Sequence, residues 1–444
     1  MKNFISRALC LALAGVCLAS SFVTAFAKEN SDAPPKAISE SYCVMSVETG
    51  QVLIQKNMDK KEYPASITKI MTIALALENA ELDDRVVITK EAIAGLTRED
   101  ASIGLREGEE ASLRDLIYAT HLMSANDSAN AIAIHIAGSI KDFAKMMNDK
   151  ARELGCTGTS FVNPNGLPNE SHLTTAYDMA LITRYALGVP GFERVFNETK
   201  YVMKKTNKTD EDRPFSTFHN MLVNTPYAYD EAKGGKLGWT KPSGHTIVTT
   251  ASKSGMDLIC VCMKSSQRGD KYKDTIALFD YCFDNFHKEI LRGETLKANP
   301  IPVLKGEKVI FELEPIFKDK YELFLHNYHS LADLVVSSNL KESYSIGESI
   351  NPRLLFTVKS CGEEMEDSFS IPLEYKGGKT AGTSITTAFD HLVDGFVDVI
   401  LGGLVLLIKV IAIGVGIMLI IRFYHKGMFS RKNTISNNKS KKKL

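Results

Sequence analysis

The chain has 444 residues, of which 44% are hydrophobic and 24% charged, so it is long enough for two domains with a large core and has the composition of a globular protein. The formal net charge is zero, but all acidic residues lie between residues 28 and 398, where 42 basic and 53 acidic residues leave a net charge of −11. A negative charge of this size argues against nucleic acid as a partner.

The first predicted element is a secretory signal peptide at 1–27. Two basic residues precede an apolar stretch from Ala8 to Val23, and Ala25-Phe26-Ala27 has the small-x-small pattern of a cleavage site. A short polar linker follows at 28–36. The long region that follows, up to the predicted membrane anchor, is therefore predicted to lie outside the cytoplasm.

Strand-like patterns occur at both ends of the segment 37–288, and helical patterns dominate between them. This order indicates an α+β fold, in which an antiparallel sheet packs against helices. The predicted elements are a hairpin of Tyr42–Val47 and Gln51–Gln55, helices between Ser66 and about Leu187, strands at Thr246–Ala251 and Met256–Met263, and a helix at Tyr272–Phe286.

The composition changes after residue 288. Short alternating apolar runs, separated by Gly, Pro and Asn, predict a small all-β domain at 289–376. A linker rich in Gly, Thr and Ser follows at 377–396.

The end of the chain predicts a membrane anchor at 397–421. The apolar run Val399–Ile421 contains sixteen Ile, Leu and Val residues and one charged residue, Lys409. Each of the sixteen contributes roughly 0.3 to 0.6 kcal/mol to insertion against a cost of about 3 kcal/mol for the lysine, so insertion is favoured. The tail at 422–444 has eight basic and no acidic residues, which predicts a cytoplasmic tail at the inner face of the membrane.

Cysteine and histidine patterns point to no metal site. The six cysteines after residue 27 match no zinc signature, and the ten histidines form no His-Glu-x-x-His motif. We expect no metal and no cofactor, and buried thiols rather than disulfides, although an external location permits disulfides. The six are Cys43, Cys156, Cys260, Cys262, Cys282 and Cys361.

The strongest functional signal is Ser66-Ile67-Thr68-Lys69 at the start of an apolar helix. Residues i and i+3 share a helix face, so the Ser66 hydroxyl and the Lys69 amine can touch. A serine at a helix N-terminus also lies beside unpaired backbone N–H groups, which favour a developing oxyanion. The alternative is an N-cap serine followed by a solvated lysine.

Two further strings follow in the chain. Ser124-Ala125-Asn126 lies between two predicted helices, and Gly234-Gly235-Lys236-Leu237-Gly238-Trp239-Thr240 precedes a strand. Taken alone, the first is typical of a helix cap and the second of a hairpin turn.

In this order and spacing, the three strings resemble the Ser-x-x-Lys, Ser-x-Asn and Lys-Thr-Gly motifs of the low-molecular-mass D-alanyl-D-alanine carboxypeptidases, which are penicillin-binding proteins. The flanking segments Pro64–Thr72, Asn163–Leu167 and Thr174–Ala180 add to the resemblance, which covers about residues 37–288. It implies a penicillin-binding, β-lactamase-like transpeptidase domain. It also implies that the substrates are peptidoglycan muropeptides ending in D-Ala-D-Ala and that β-lactams are inhibitors.

The resemblance also implies roles for individual residues. Ser66 is the nucleophile and Lys69 the base, with a pKa lowered by burial and by a second cation, Lys236; Ser124 relays the proton to the leaving amine. Asn126 orients Lys69 and binds the substrate amide, and Lys236 attracts the substrate carboxylate. The remaining residues implied in substrate binding are Gly238, Trp239 and Thr240, with the backbone N–H groups of Ser66 and Trp239 forming the oxyanion hole.

One residue departs from the family pattern. Leu237 occupies the position of the motif threonine, whose hydroxyl helps to hold the substrate carboxylate, and a leucine cannot donate a hydrogen bond. Thr240 or Arg268 is a candidate for compensating this loss. Two alternatives stay open at this point: a β-lactamase with Glu170 as the deacylation base, and a penicillin-binding sensor or structural homologue with little turnover.

Overall fold

A computed structural model of the chain describes residues 33–296, 300–338, 341–345, 348, 353–358, 367–372 and 374–376. The predicted signal peptide, the linker at 377–396, the membrane anchor, the basic tail and Cys361 lie outside these residues. Within the described ranges, we find no helix that is both long and apolar enough to cross a bilayer.

The strands within the described ranges are numbered in chain order. They are β1 Ser41–Ser46, β2 Val52–Lys56, β3 Arg85–Val87, β4 Glu110–Ser112, β5 Lys200–Met203, β6 Arg213–Ser216, β7 Ala232–Thr240, β8 Gly244–Lys253, β9 Met256–Ser265, β10 Phe286–Arg292, β11 Ile301–Lys305, β12 Lys308–Ile316, β13 Lys320–His326, β14 Leu334–Ser338, β15 Tyr344–Ser345, β16 Arg353–Val358, β17 Asp367–Pro372 and β18 Glu374–Lys376.

The helices are numbered in the same way. They are α1 Lys69–Asn79, α2 Lys90–Ile93, α3 Leu113–Leu122, α4 Asn126–Ala137, α5 Ile140–Glu153, α6 Ala176–Leu187, α7 Phe192–Phe196 and α8 Asp270–Asn285.

A five-stranded antiparallel sheet with the order β2-β1-β9-β8-β7 forms the centre of the fold. Successive residues of β1 alternate between two hydrophobic clusters: Cys43 and Met45 belong to the cluster on the helical side that includes α1, α3 and α6, whereas Tyr42 and Val44 belong to the cluster beneath α8. Both faces of the sheet are therefore covered by helices. The predicted α+β arrangement is confirmed.

Residue contacts divide the described chain into two units. The first contains the residues up to Thr295 together with Asp319–Val336 and Leu355–Ile371, and in it β10 pairs with β13. In the second unit, β11 pairs with β12 and β15, and β12 pairs with β18. The predicted domain boundary at 288/289 stays a prediction.

The side chain of Gln51 joins the turn after β1 to β13 within the first unit. Its Nε2 donates to the carbonyl oxygen of Phe324 at 2.6 Å, and its Oε1 accepts from the Phe324 N–H at 2.9 Å. A buried amide thus takes the place of a neighbouring strand and satisfies both backbone hydrogen-bonding groups of Phe324 in β13.

The five described cysteines are all buried and free, as the sequence predicts. Cys260 and Cys262 lie on the same face of β9, with their Sγ atoms 3.8 Å apart. Burial raises the pKa of both Cys260 and Cys282 well above the ordinary value, so these thiols are unreactive.

Candidate active site

Ser66 lies in one turn of 3-10 helix, Ala65–Thr68, immediately before α1. The hydroxyl of Thr246 on β8 donates to the carbonyl oxygen of Pro64 at 2.9 Å and fixes the start of this turn. On the other side, a methyl group on Gly166, whose φ is +86°, would lie 1.9 Å from the carbonyl oxygen of Ala65. The position of Ser66 is thus set by two segments far away in the sequence.

Lys69 is the first residue of α1, and its side chain is completely buried. Its Nζ lies 2.9 Å from Ser66 Oγ and 2.7 Å from Asn126 Oδ1, and it also donates to the backbone oxygen of Asn165. The two carbonyl oxygens can only accept, so they use both N–H groups of an uncharged amine. The lone pair is then left for the Ser66 hydroxyl.

Electrostatics favours this uncharged state. Burial is the main cause that lowers the pKa of Lys69 well below its ordinary value, and the charge of Lys236 lowers it further. Asp127 and Asp100 act in the opposite direction. The predicted mechanism of pKa lowering, burial plus a second cation, is therefore present.

Ser124 and Lys236 form the second pair of the site. Ser124 follows α3 with φ +56°, a conformation that few residues other than glycine adopt, and its Oγ accepts from Lys236 Nζ at 3.0 Å. Lys236 is 4% exposed, and its ammonium also donates to the backbone oxygen of Leu237 at 3.1 Å. Burial, together with the charge of Lys271, lowers the pKa of Lys236 to about 7.

Lys271, in the first turn of α8, is a residue that the motifs did not indicate. It is 3% exposed, its Nζ lies 5.2 Å from the ring centroid of Tyr272, and burial and the charge of Arg268 lower its pKa to about 8. Within the described residues, no carboxylate forms an ion pair with it. The sequence feature that could have indicated its burial is its spacing of four and seven residues from Thr275 and Leu278, which places the three residues on the same face of α8.

Strand β7 is an edge strand of the central sheet and carries the remaining predicted residues. A methyl group on Gly238 would lie 2.4 Å from Thr246 Oγ1 and 2.8 Å from the backbone nitrogen of Ser66, so only glycine allows β7 this close to the nucleophile. Trp239 is 61% exposed. The hydroxyl of Thr240 donates to Ser243 Oγ at 2.8 Å.

Leu237 is half-buried and packs against the hydrophobic cluster beneath α8. Among the two candidates for compensating its missing hydroxyl, Thr240 already donates its only proton to Ser243, while Arg268 contributes a positive charge that acts on Lys271. Lys236 and Lys271 are both buried, and the charge of Lys271 acts on Lys236, so these two ammonium groups are the candidates for binding an anion near this end of β7.

Two buried histidines lie behind Lys236. Burial and neighbouring positive charge lower the pKa of His121 and of His219 to about 3, so both are neutral. His219 packs under β7, where a methyl group on Gly235 would lie 2.3 Å from its Nε2, and it hydrogen-bonds Thr249 Oγ1 at 3.1 Å.

Comparisons with known proteins agree with this geometry. The family model described as D-alanyl-D-alanine carboxypeptidase matches residues 28–267, which is more than half of the chain. The chain is 29% identical over 323 residues to the D-alanyl-D-alanine carboxypeptidase DacF of Bacillus subtilis, covering 70% of this chain and 80% of that protein. It is 30% identical over 288 residues to DacC of Escherichia coli, covering 62% of this chain and 70% of that protein.

A solved structure shows the same fold. The carboxypeptidase DacD from Francisella tularensis superposes with a TM-score of 0.59 at 21% identity, covering 79% of this chain and 95% of that one. The motif order, the contacts of Lys69 and the matched family model lead to one conclusion: the chain belongs to the D-alanyl-D-alanine carboxypeptidase family.

Proposed function

We propose that the chain is a serine-type D-alanyl-D-alanine carboxypeptidase, which removes the terminal D-alanine from peptidoglycan stem peptides through an acyl-enzyme on Ser66. One observation supports the roles of Ser66 as nucleophile and Lys69 as base. The buried Nζ of Lys69 lies 2.9 Å from Ser66 Oγ and donates to two carbonyl oxygens, and burial lowers the pKa of Lys69 well below its ordinary value. An amine held in this way is a general base directed at one hydroxyl.

The reaction follows from this arrangement. Ser66 Oγ attacks the carbonyl carbon of the penultimate D-alanine while its proton passes to Lys69 Nζ. The negative charge on the carbonyl oxygen is stabilised by the backbone N–H groups of Ser66 and Trp239. Collapse breaks the peptide bond, and Ser124 Oγ relays the proton held by Lys69 to the departing amine of D-alanine, which leaves Lys69 uncharged again. A water molecule then attacks the acyl carbon while Lys69 takes its proton, and this proton passes to Ser66 Oγ as the ester bond breaks and the shortened peptide leaves.

Substrate position depends on the carboxylate at the C-terminal end of the peptide. Lys236 and Lys271 are buried ammonium groups, and the charge of Lys271 acts on Lys236. A carboxylate placed near both would offset their mutual repulsion. We expect Lys271→Gln to lower kcat/KM at least tenfold for a free-acid peptide and far less for the same peptide with a C-terminal amide.

β-Lactams carry a carboxylate and a strained amide, and we expect them to acylate Ser66. The β-lactamase alternative requires a second base near the acyl-enzyme. Glu170 is exposed, and within the described residues it makes no hydrogen bond to Ser66 or Lys69. Slow deacylation is therefore expected, as in a penicillin-binding protein.

The test uses the full chain in detergent. Wild type should release D-alanine from diacetyl-Lys-D-Ala-D-Ala and bind fluorescent penicillin covalently, and Ser66→Ala should do neither while keeping its fold. Ser128→Ala is a matched control, because the Ser128 hydroxyl is buried without a hydrogen-bond partner in the described part of the chain. Penicillin labelling without D-alanine release in wild type would support a sensor instead.

The location is proposed from the ends of the sequence. The pattern of residues 1–27, the apolar run Val399–Ile421 and the basic tail favour a single-pass protein of the bacterial cytoplasmic membrane with its catalytic domain outside. Protease added to intact protoplasts should remove the catalytic domain and spare an epitope in the tail. Protection of the catalytic domain would contradict this topology.

A further inference from the structure

His172 is a buried histidine that has no part in the reaction proposed for Ser66 and Lys69. It is 1% exposed and follows the loop 162–166, which brings the backbone oxygen of Asn165 to the Lys69 amine. Burial, together with the charge of Lys69, lowers the pKa of His172 to about 4, so the ring is neutral in near-neutral solution. A neutral imidazole has one nitrogen that donates and one that accepts.

The two hydrogen bonds of the ring fix its tautomer. The backbone N–H of Val162 donates to His172 Nδ1 at 3.0 Å, and because an N–H can only donate, Nδ1 carries no proton. The ring proton is therefore on Nε2, which lies 2.9 Å from Thr68 Oγ1 and donates to it. Thr68 is completely buried, so water does not compete for this bond.

The two partners of the ring belong to the two segments that surround the Lys69 amine. Thr68 lies between Ser66 and Lys69, in the turn Ala65–Thr68. Val162 begins the loop whose Asn165 carbonyl accepts from Lys69 Nζ. A displacement of either segment relative to the other would change the hydrogen bonds of the amine, and with them the direction of its lone pair.

The backbone on either side of this contact is held without the ring of His172. Leu173 exchanges two backbone hydrogen bonds with Ser160, at 2.8 and 3.0 Å, and Thr174 exchanges two with Glu62, at 2.8 and 2.9 Å. These bridges fix the path of the chain shortly before the loop 162–166 and before the nucleophile turn. We therefore expect the fold to tolerate replacement of the ring, which adds fine alignment to a frame that already exists.

We propose that His172 is a positioning residue for the general base, because it binds Thr68 and Val162 at the same time. It thereby keeps the turn that carries the nucleophile in register with the loop that supplies a carbonyl acceptor to Lys69. The inference rests on the proposed function, because it takes Lys69 as the base for Ser66. Within the described residues His172 makes no hydrogen bond to either of these two, so it acts through its partners.

Three substitutions separate the two contacts. In His172→Asn the amide oxygen lies near the position of Nδ1 and still accepts from Val162, but nothing donates to Thr68. In His172→Gln the amide nitrogen lies near the position of Nε2 and still donates to Thr68, but Val162 loses its acceptor. Thr68→Val removes the hydroxyl and leaves the ring in place.

The full chain in detergent is assayed for D-alanine release from diacetyl-Lys-D-Ala-D-Ala and for the rate of covalent penicillin labelling. A displacement of about 1 Å in a catalytic group costs about a hundredfold in rate, so we expect each single variant, which keeps one contact, to lower kcat about tenfold. The labelling rate should fall in parallel. KM should change little, because the substrate carboxylate is proposed to bind at the end of β7.

A double-mutant cycle tests whether the two residues act through one contact. In His172→Asn the hydrogen bond to Thr68 is already absent, so adding Thr68→Val should lower kcat no further, whereas independent effects would multiply to about a hundredfold. Thr183→Val is the matched control and should keep the wild-type kcat. Thr183 is also buried, and its hydroxyl donates to the backbone oxygen of Met179 at 2.7 Å, so a hydroxyl of the same kind is lost away from the active site.

Circular dichroism checks the fold of each variant, and Thr68→Val tests its contact even where a ring variant does not fold. Wild-type kcat in Thr68→Val would overturn the inference while leaving the proposed function in place. Effects that multiply in the double variant, or an equal fall of kcat in Thr183→Val, would overturn it as well. Absence of both D-alanine release and penicillin labelling in wild type would overturn the proposed function, and the inference with it.

Discussion

Replacing Leu237 by threonine tests how the end of β7 holds the substrate carboxylate. The new hydroxyl would restore the threonine of the family motif and could donate one hydrogen bond to the carboxylate. A hydrogen bond to a charged group contributes about 1.5 to 3 kcal/mol, which is roughly ten- to a hundredfold in rate if the bond is made in the transition state. Because Lys236 and Lys271 already place two buried ammonium groups there, we expect the lower end, an increase of about tenfold in kcat/KM.

The same substitution should weaken the fold slightly. Leu237 is half-buried against the cluster beneath α8, and threonine removes part of that apolar contact. Losing about half of a leucine side chain from such a site costs about 1 kcal/mol, or roughly 2 to 4 °C in Tm for a unit of this size. Higher activity and lower Tm are thus expected together.

D-alanine release from the free acid and from the C-terminal amide of diacetyl-Lys-D-Ala-D-Ala measures the effect. The gain should disappear for the amide, because the new bond then lacks a charged acceptor. Leu237→Val is the matched control, since valine has the branched shape of threonine without the hydroxyl. An equal gain in the valine variant, or no gain in the threonine variant, would refute the reasoning and would make Leu237 an adaptation of this pocket.

Three further outcomes follow from the site. Because the pKa of Lys236 is about 7, kcat/KM for a free-acid peptide should fall as pH rises through that value, and a flat profile up to alkaline pH would show that its charge is not needed. Gly238→Ala should lower kcat at least a hundredfold, since its methyl group would lie 2.8 Å from the nitrogen of Ser66 and displace β7; circular dichroism and penicillin labelling check fold and acylation. His121 and His219 have folded-state pKa values of about 3, below their ordinary 6.5, so the unfolded chain binds more protons and stability should be lost as pH falls from about 6.5 towards 3. The free energy of unfolding, measured by urea denaturation across that pH range, should fall less steeply for His219→Gln than for wild type. An equal pH dependence in the two proteins would contradict the assignment of this loss to the buried histidines.

The catalytic contacts could be predicted where they depend on local geometry. Ser66 and Lys69 are three residues apart at a helix start, so the short chain between them brings hydroxyl and amine together. The order of the elements, with strands at both ends of a helical block, likewise predicted an antiparallel sheet packed against helices, and the cysteines Cys260 and Cys262 were expected as buried thiols, which the structure confirms.

Contacts that depend on the path of the chain could not be predicted in this way. The backbone oxygen of Asn165 accepts from Lys69 from a turn 96 residues away in the sequence. A pattern of side chains does not indicate where a backbone carbonyl will point. Lys271 belongs to none of the motifs, and its burial depends on how α8 lies against the sheet. The two-stranded sheets β3–β4 and β5–β6 have only three- and four-residue strands, too short for a clear alternation.

The strand order of the central sheet determines how late during synthesis the sheet can form. Strand β1 pairs with β9, where Ser41 lies opposite Met263, so the hairpin made first lacks its inner neighbour until more than half of the chain has been polymerised. At roughly 5 to 20 residues per second, the ribosome needs about ten to forty-five seconds for the intervening stretch. During that interval the nascent amino-terminal part cannot close its sheet. A chain that stays open for so long is suited to being threaded through a membrane pore before it folds, as the proposed location of this enzyme requires.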